Sequence, residues 1–397
     1  MTQETLHSPL ELQKELSNVR PLLPIGIPKE DRKTEKRLAF TPEAVDMLVE
    51  AGHEVIFEEG AGWGIRYSDT DYAEAGATIT GDRSNVFGCD LIFKIAPPTL
   101  EEIQWMKKRA TVLSMLQMPD ITIDIIKAMA AKQIHAAGYE LMSPNGFCFP
   151  VRDAISEIEG AAAISVASEL LSNEKGGKGI LLGGIPGVSP TEVVIIGAGV
   201  PGCVAARAAL ALGATVKVFD SDIDKLRRIQ QQLGTAVFTS VFHPNVLVNT
   251  FKSADVVIGV LQYIDDSAHY VIPEEVIRTM KKNAVILDLR VNQGGCFETT
   301  RFLPADHPAV FEKDGILHYC LPNLSSRVAR TASMALSNIF VPFILRMGKL
   351  GGLTAIASAD PGFRSGFYLY SGKLVNSYVA NYFNLPANDI GLFFSVF

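Results

Sequence analysis

Cysteine is scarce in this sequence, and its spacing argues against two kinds of stabilising site. The 397-residue chain holds five cysteines, an odd number, and no two of them form a C-x-x-C pair. Single, widely spaced cysteines argue against a disulfide framework and against a structural zinc site. We therefore predict reduced, buried thiols. The five are Cys89, Cys148, Cys203, Cys296 and Cys320.

Long apolar runs are also missing. No stretch of about 18 uncharged apolar residues occurs, so no transmembrane helix is predicted. Charged residues are spread through the first 20 positions, which lack the apolar core of a signal peptide. We interpret them as a leader arm or a short helix.

The sequence also lacks an excess of positive charge. The formal net charge is −7, which argues against a generic nucleic-acid binder, because phosphate binding requires clustered positive charge. Hydrophobic residues make up 48% of the chain and charged residues 20%, as in an ordinary soluble globular protein. This length suggests two domains or one large one, with a core that needs no metal or disulfide. The acidic balance is normal for a cytoplasmic enzyme, and cytoplasmic location is our prediction.

What the sequence does contain is an alternation of strands and helices. In residues 41–62, Thr41 is a predicted N-cap, Pro42 fits the first helical turn, and Gly52 ends the helix before a strand. DLIFKIAPP, ATVLSML and QIHAAGYE predict further strands, and a second α/β series begins at Glu192. Long helices are predicted over 154–171 and 326–350. This pattern predicts an α/β fold with mostly parallel sheets.

The strongest local signal is VVIIGAGVPGCVAARAALALGATVKVFD, at 193–220. Gly197 allows a tight turn after a buried strand, Gly199 lets a pyrophosphate approach the backbone, and Gly202 lets the helix pack closely. Asp220 ends the next strand, where a carboxylate accepts bonds from both ribose hydroxyls and repels a 2′-phosphate. The motif therefore predicts a nicotinamide dinucleotide site that prefers NAD to NADP. A glycine-rich turn without a ligand is the alternative.

Further cofactor contacts are predicted from loops that follow other strands, because ligands of open α/β sheets lie at the carboxyl ends of the strands. Val260, Leu261 and Asn292 are the candidates for the nicotinamide half. Gly294 and Gly295 fit either a plain turn or the site. Val200, Lys225 and Asn323 are further predicted cofactor residues.

At this point the chain resembles the family of alanine dehydrogenases and the NAD-binding subunit of nicotinamide nucleotide transhydrogenase. The resemblance covers about residues 24 to 380 and is closer to the alanine dehydrogenase branch. Seven blocks in the same order carry it. They are GIPKE (26–30), EKRLAFTP (35–42), GHEVIFEEGAG (52–62), GGKGILLGGIPGVSP (176–190), VVIIGAGVPG (193–202), NQGGCFET (292–299) and VARTASMALSN (328–338).

The resemblance implies two Rossmann-like, doubly wound domains with a cleft between them. We expect a discontinuous substrate domain, 1–150 with 329–397, interrupted by an NAD-binding domain at 151–328. It also implies a homo-oligomer, a hexamer or a dimer. The implied reaction is the oxidative deamination of L-alanine to pyruvate and ammonia, with NAD accepting the hydride. The partner in that reaction is a small amino acid or 2-oxo acid.

The implied substrate site keeps some family residues and replaces others. Arg37 matches the arginine that binds the substrate carboxylate; from its charged surroundings alone it would be a surface residue. Lys94 matches the first of two family lysines, but Ala96 stands at the second. Gln117 or Met118 stands where the family has a histidine, and Asn292 replaces an acid. Arg37, Lys94, Gln117 and Asn292 are the predicted catalytic residues. Ser156 matches a family serine near the cofactor and is predicted to contact it.

These replacements leave three functions open, because glutamine and asparagine do not titrate near neutral pH. The first is an amino-acid dehydrogenase acting on alanine or a close relative. The second is the NAD-binding part of a transhydrogenase, which needs no acid–base residue. The third is a non-catalytic NAD-binding regulator. The seven histidines do not supply the missing group, since none falls in an expected pocket segment.

Overall fold

A computed structural model describes residues 24–116, 121–143, 148–261, 271–303 and 309–394. The predicted leader arm and Gln117 lie outside these residues. The chain divides into two compact units. Unit 1 comprises Met1–Ala154 and Ala329–Phe397, and unit 2 comprises Ile155–Val328.

The secondary structure alternates as predicted, with short strands and mostly short helices. The strands are β1 (Ile25–Ile27), β2 (Val55–Glu58), β3 (Thr78–Thr80), β4 (Leu91–Phe93), β5 (Thr111–Ser114), β6 (His135–Gly138), β7 (Glu192–Ile196), β8 (Thr215–Phe219), β9 (Phe238–Ser240), β10 (Val256–Gly259), β11 (Val285–Asp288), β12 (Val310–Lys313), β13 (Ile316–Tyr319), β14 (Phe367–Tyr370) and β15 (Lys373–Leu374). The helices are α1 (Pro42–Glu50), α2 (Asp69–Glu74), α3 (Arg83–Phe87), α4 (Leu100–Trp105), α5 (Ile123–Ala131), α6 (Pro150–Leu170), α7 (Val200–Ala211), α8 (Ile223–Leu233), α9 (Pro244–Ser253), α10 (Glu274–Ile277), α11 (Ala329–Leu350), α12 (Leu353–Ala359), α13 (Pro361–Arg364) and α14 (Ser377–Tyr382).

The sheet of unit 1 has eight strands in the order β15-β14-β6-β5-β4-β1-β2-β3. β1 to β6 are parallel, and the chain order reverses between β1 and β4. In an open α/β sheet such a reversal leaves a crevice at the carboxyl ends of the two central strands. The loops after β1 and β4 therefore occupy the position where a ligand site is expected in this unit.

The start of α1 departs from the prediction in one detail. Thr41 is in the N-cap position and Pro42 in the first turn, but the Thr41 side chain makes no cap hydrogen bond. Instead the Thr41 backbone N–H donates to Ser337 Oγ at 3.0 Å, and Leu38 N–H donates to Ser333 Oγ at 2.8 Å. The segment that leads into α1 is thus tied to side chains of α11.

α11 is the central packing helix of unit 1. By length and composition alone the stretch Leu324–Leu350 is long and apolar enough to cross a membrane, with a mean hydropathy of 1.4. Phe340 in α11 packs against Phe40 and Phe93, with ring centroids 5.9 and 5.3 Å away. Because its apolar face is buried in this way and its serines bond to the loop before α1, the helix behaves as a core helix of the unit.

The tail contains a hairpin that the sequence pattern did not reveal. β14 pairs antiparallel with β6 and with β15, so the hairpin extends one edge of the unit 1 sheet. All four residues of β14 are buried. FYLY reads as one short apolar run, and such runs are ambiguous between strand and helix from periodicity alone.

The sheet of unit 2 has seven strands in the order β12-β13-β11-β10-β7-β8-β9. All neighbours are parallel except β12 with β13. The chain order reverses between β7 and β10. The central strands β7, β10 and β11 are almost completely buried, as expected of parallel strands covered on both faces. The predicted fold class, two mostly parallel doubly wound sheets, is confirmed. The β12–β13 hairpin was not predicted.

The cysteines are all free thiols, and one prediction about them was wrong. Cys89, Cys203, Cys296 and Cys320 are buried, whereas Cys148 is exposed. Cys148 lies in the segment before α6, where its Sγ is 3.7 Å from Asp153 Oδ2. Among the described residues no cluster of histidine, cysteine, aspartate or glutamate could hold a metal ion.

Candidate functional site

The predicted dinucleotide turn lies at the carboxyl end of β7, beside the end of β10. Gly197 has a φ of 119°, which favours glycine. A Cβ on Gly197 would lie 2.9 Å from Leu261 N and 3.0 Å from the Val260 carbonyl carbon. Val260 and Leu261 are buried. The structure therefore brings the turn together with two of the residues predicted from the next strand, at the point where the chain order reverses.

Gly199 and Gly202 differ in what surrounds them. A Cβ on Gly202 would lie 2.0 Å from the Gly197 carbonyl oxygen, so only glycine lets α7 begin this close to the turn. A Cβ on Gly199 would meet nothing nearer than Pro201 Cδ at 3.8 Å. Gly199 is the N-cap of α7 and Val200 its first residue. The first N–H groups of a helix have no acceptor within it, so this end is suited to an anion.

Asp220 follows β8 and is 2% exposed. Its Oδ2 accepts a hydrogen bond from Ala198 N at 2.7 Å, and its Oδ1 accepts one from Asp222 N at 2.9 Å. The carboxylate therefore fixes the glycine turn as well as ending β8. Each carboxylate oxygen can accept more than one hydrogen bond, so capacity remains for a ribose hydroxyl.

α6 packs onto the beginning of α7. A Cβ on Gly160 would lie 2.3 Å from the Pro201 carbonyl oxygen, so the two helices touch at backbone distance. Ser156 lies one turn earlier on α6 and is 7% exposed. The predicted cofactor residue Ser156 is thus on the helix that packs against the turn.

The other predicted cofactor residues lie on loops and helix ends of unit 2. Lys225 is in the first turn of α8, and its N–H donates to Asp222 Oδ1 at 3.2 Å. Asn323 follows β13 with a φ of 63°. Asn292 is exposed in a short 3-10 turn after β11. The glycine turn, the anion-binding helix end and the buried acid all fit a dinucleotide.

A buried aspartate that the sequence analysis missed shapes the loop that carries Asn292. Asp288, the last residue of β11, is fully buried. It accepts hydrogen bonds from Arg290 N at 2.9 Å, from Cys296 N at 2.7 Å and from Thr300 Oγ1. Burial raises the pKa of Asp288, and these donors oppose the rise. The available signal was an acid at the end of a predicted strand that leads into a glycine-containing loop.

In unit 1 the loops after β1 and β4 meet in a buried network of charges. Lys94 Nζ lies 3.1 Å from Glu102 Oε1 and 3.6 Å from Glu30 Oε2. Glu30 Oε1 in turn accepts from Ile95 N at 2.5 Å. Burial lowers the pKa of Lys94, but Glu30 and Glu102 outweigh it and raise that pKa overall. The ammonium of Lys94 is thus engaged by two carboxylates, and the predicted catalytic role stays a prediction.

Arg37 lies on the same edge and is 2% exposed, so it is not the surface arginine of the alternative interpretation. Its Nε donates to Glu35 Oε1 at 2.9 Å and its Nη2 to Glu35 Oε2 at 2.7 Å. Nη2 is also 3.6 Å from Met115 Sδ, in the segment after β5. Glu35 therefore orients the guanidinium through one of its edges, while Met115 borders Nη2.

Glu140, which the sequence analysis did not single out, lies two residues after β6. Its Oε1 accepts from Leu116 N at 2.5 Å, and its Oε2 is buried with no hydrogen-bond partner among the described residues. Burial raises its pKa to about 7 against the opposing effect of backbone N–H groups. The signal in the sequence was an acid as the last residue of the predicted strand QIHAAGYE.

Two family profiles match this chain. One, described as "Alanine dehydrogenase/PNT, N-terminal domain", matches residues 26–157, and the other, described as "Alanine dehydrogenase/PNT, C-terminal domain", matches 163–377. The chain belongs to the alanine dehydrogenase/PNT family. The resemblance stated from the seven sequence blocks is confirmed.

Individual members of the family match this chain along nearly its whole length. Alanine dehydrogenase of Staphylococcus saprophyticus is 34% identical over 366 residues, which cover 92% of this chain and 98% of that protein. A solved L-alanine dehydrogenase superposes with a TM-score of 0.84 at 30% identity, covering 91% of this chain and 99% of the other. A transhydrogenase from Sinorhizobium meliloti gives a TM-score of 0.74 at 24% identity, covering 89% and 99%, which shows the shared fold alone.

The structure describes some of the positions at which the sequence analysis predicts a departure from the family. Ala96 is half-buried beyond Lys94, and Asn292 is exposed. Gln117 lies outside the described residues. Of the histidines, His318 is buried with Nε2 2.8 Å from Thr299 Oγ1, and His135 accepts from Ser371 N through Nδ1. Burial lowers the pKa of both, so neither is suited to proton exchange near neutral pH.

Proposed function

We propose that this protein is an NAD-dependent amino-acid dehydrogenase that deaminates L-alanine or a close relative to the 2-oxo acid. The observation that carries the proposal is the turn after β7, where Gly197, Gly199 and Gly202 lead into α7 and Asp220 closes the turn from β8. We infer the type of reaction from membership of the alanine dehydrogenase/PNT family, with relatives that bear the name alanine dehydrogenase.

NAD would be held by unit 2. The N–H groups at the start of α7 would face the pyrophosphate, with Gly199 leaving room for it. Asp220 would accept from the ribose hydroxyls, and a 2′-phosphate beside that buried carboxylate would be repelled. Val260, Leu261, Asn292, Ser156, Val200, Lys225 and Asn323 complete the proposed set. When bound, NAD supplies the acceptor for the hydride that leaves the amino-acid α-carbon.

The substrate would be held by unit 1. Arg37 supplies a cation whose direction is fixed by Glu35, and a guanidinium binds a carboxylate in a geometry that lysine does not reproduce. Its burial strengthens the attraction, because charges interact more strongly where water is excluded. The two predicted catalytic amides, Gln117 in unit 1 and Asn292 in unit 2, would hydrogen-bond a carbonyl or imine without exchanging a proton. Lys94 contributes positive charge close to Glu30 and Glu102.

Deamination also requires proton transfer as water adds and ammonia leaves. A positioned acid–base group contributes roughly 10²- to 10⁴-fold to such a step. With amides at 117 and 292, we propose turnover lower by a factor of this order than in a family member that has the titratable pair. A homo-oligomer and a cytoplasmic location are part of the same proposal.

The test is a steady-state assay of NADH formation with L-alanine and a panel of other amino acids at pH 7 to 10, with calorimetry of NAD and NADP binding. The proposal expects slow, saturable NADH formation and preference for NAD. Tight NAD binding with no turnover on any amino acid would favour a non-catalytic regulator. Hydride exchange with an added NADP-binding partner, without amino-acid oxidation, would favour a transhydrogenase role.

A further inference from the structure

Glu140 holds the segment that borders Arg37. β5 and β6 are neighbours, with Ser114 opposite Gly138, so the residues just beyond each strand lie side by side. Across this gap Glu140 Oε1 accepts the Leu116 N–H at 2.5 Å. The preceding residue, Met115, places its Sδ 3.6 Å from Arg37 Nη2. The Glu140 carboxylate thus holds the backbone of the segment whose Met115 side chain contacts the Arg37 guanidinium.

The surroundings of Glu140 make this contact sensitive to its charge. Glu140 Oε2 is buried with no hydrogen-bond partner among the described residues, and Ser114 and Tyr368, on β5 and β14, are buried as well. Burial, and more weakly the charge of Glu140, raises the pKa of Tyr368 and of the neighbouring Tyr139 far above neutral. These tyrosines therefore stay neutral between pH 6 and 8.

The acceptor strength of the Glu140 carboxylate changes within that pH interval. Its pKa is about 7, raised by burial. A hydrogen bond to an ionised acceptor is roughly twice as strong as one between neutral groups, and protonation of the carboxyl removes that advantage. Below neutral pH the hydrogen bond from Leu116 N–H to Glu140 therefore weakens. The Met115 side chain that contacts Arg37 is then less well ordered.

We propose that Glu140 is a positioning residue of the substrate site, whose carboxylate sets the affinity of Arg37 for the carboxylate of an amino acid or 2-oxo acid. Glu35 engages Nε and Nη2 of the guanidinium, and Met115 lies against Nη2, where we infer that the carboxylate of a substrate approaches. The position of the Met115 side chain in turn depends on the Glu140–Leu116 hydrogen bond. This proposal rests on the proposed function, because it takes Arg37 as the carboxylate-binding residue.

The experiment measures pyruvate binding by calorimetry to the full-length protein saturated with NADH, at pH 6, 7 and 8. Pyruvate keeps its carboxylate ionised over this range, so a change in affinity reports on the protein. Between pH 8 and pH 6 the ionised fraction of a group with a pKa of about 7 falls about tenfold, and the Kd is expected to rise by about the same factor.

Two variants at one position separate the roles. Glu140→Gln keeps an acceptor oxygen for Leu116 N but is neutral at every pH, so its Kd should stay close to the wild-type value at pH 6 throughout and lose its pH dependence. Glu140→Ala removes the acceptor and should weaken pyruvate at every pH. Glu101→Gln, which removes an exposed carboxylate of α4, should retain the wild-type profile. Thermal unfolding checks that each variant is folded.

The outcomes are distinct. A tenfold pH effect that persists in Glu140→Gln would overturn the inference, as would unchanged affinity in a folded Glu140→Ala variant. A turnover loss of 10²-fold or more in Glu140→Gln, with pyruvate affinity intact, would make the residue a proton-transfer group and would also overturn it. Wild-type protein that binds NADH but no pyruvate at any pH would refute the substrate proposal, and the inference with it.

Discussion

Substituting alanine at Gly199 should separate the stability of the fold from the affinity for NAD. The Cβ would meet no atom nearer than Pro201 Cδ at 3.8 Å, and the φ of −73° suits any residue. Alanine is a poorer N-cap than glycine, while glycine loses more backbone entropy on folding. The two effects oppose each other, so the free energy of unfolding should change by less than about 1 kcal/mol.

Binding of the dinucleotide should respond quite differently. If the pyrophosphate lies against Gly199, the added methyl group occupies part of its space. Overpacking of this kind costs roughly 1–3 kcal/mol, which corresponds to a Kd for NAD that is about 5- to 150-fold higher. Isothermal calorimetry with NAD, together with urea unfolding followed by circular dichroism, measures the two quantities on the same sample.

Gly202→Ala is the matched control, because there the clash is internal. Its Cβ would lie 2.0 Å from the Gly197 carbonyl oxygen, so the turn must shift whether or not a ligand is present. We expect loss of both stability, by roughly 1–3 kcal/mol, and NAD affinity. If Gly199→Ala binds NAD as tightly as wild type, the pyrophosphate does not lie where the turn suggests, and the reasoning fails.

Three further changes test other contacts. Asp220→Asn removes the charge that disfavours a 2′-phosphate, so the ratio of NADP to NAD dissociation constants should fall about tenfold in calorimetry; an unchanged ratio would refute this assignment. Arg37→Lys keeps the charge but loses the bidentate geometry, so the KM for the amino acid should rise at least tenfold while the Kd for NAD is unaltered. Burial raises the pKa of Asp255, but Lys178 and Lys281, 2.5 and 2.9 Å away, outweigh it and lower that pKa overall. An ionised Asp255 with a lowered pKa stabilises the fold above about pH 4, and this stabilisation is lost as the pH falls through the folded-state pKa. Asp255→Asn should therefore lower the free energy of unfolding in urea by roughly 1–2 kcal/mol at pH 7 and by little at pH 2. An equal loss at both pH values would contradict this assignment.

The parts of the fold that the sequence predicts are those with strong local signals. The helix at 154–171 corresponds to α6, Pro150–Leu170, and the α/β series predicted from Glu192 begins with β7. Turns with a glycine at positive φ, such as Gly52 at 92°, separate these helices and strands. Each of these signals depends on residues that are neighbours in the chain.

The missed elements depend on distant partners. β14 becomes a strand because it pairs with β6, more than 200 residues earlier, and β13 because it pairs with β11. A short apolar run such as FYLY or ILHY has no periodicity that decides between strand and helix. Tertiary pairing makes the decision, and a single sequence does not contain that information in readable form.

The same distinction explains the uneven prediction of the two parts of the site. Gly197, Gly199, Gly202 and Asp220 form one βαβ unit, so their spacing alone implies their proximity. In unit 1 the relevant contacts join segments that are far apart in sequence, from Arg37 to Met115 and from Leu116 to Glu140. Each of those residues is unremarkable by itself. Their meaning comes from parallel strands that end at one edge of a sheet. A buried carboxylate with a pKa of about 7, such as that of Glu140, is therefore visible only in the fold.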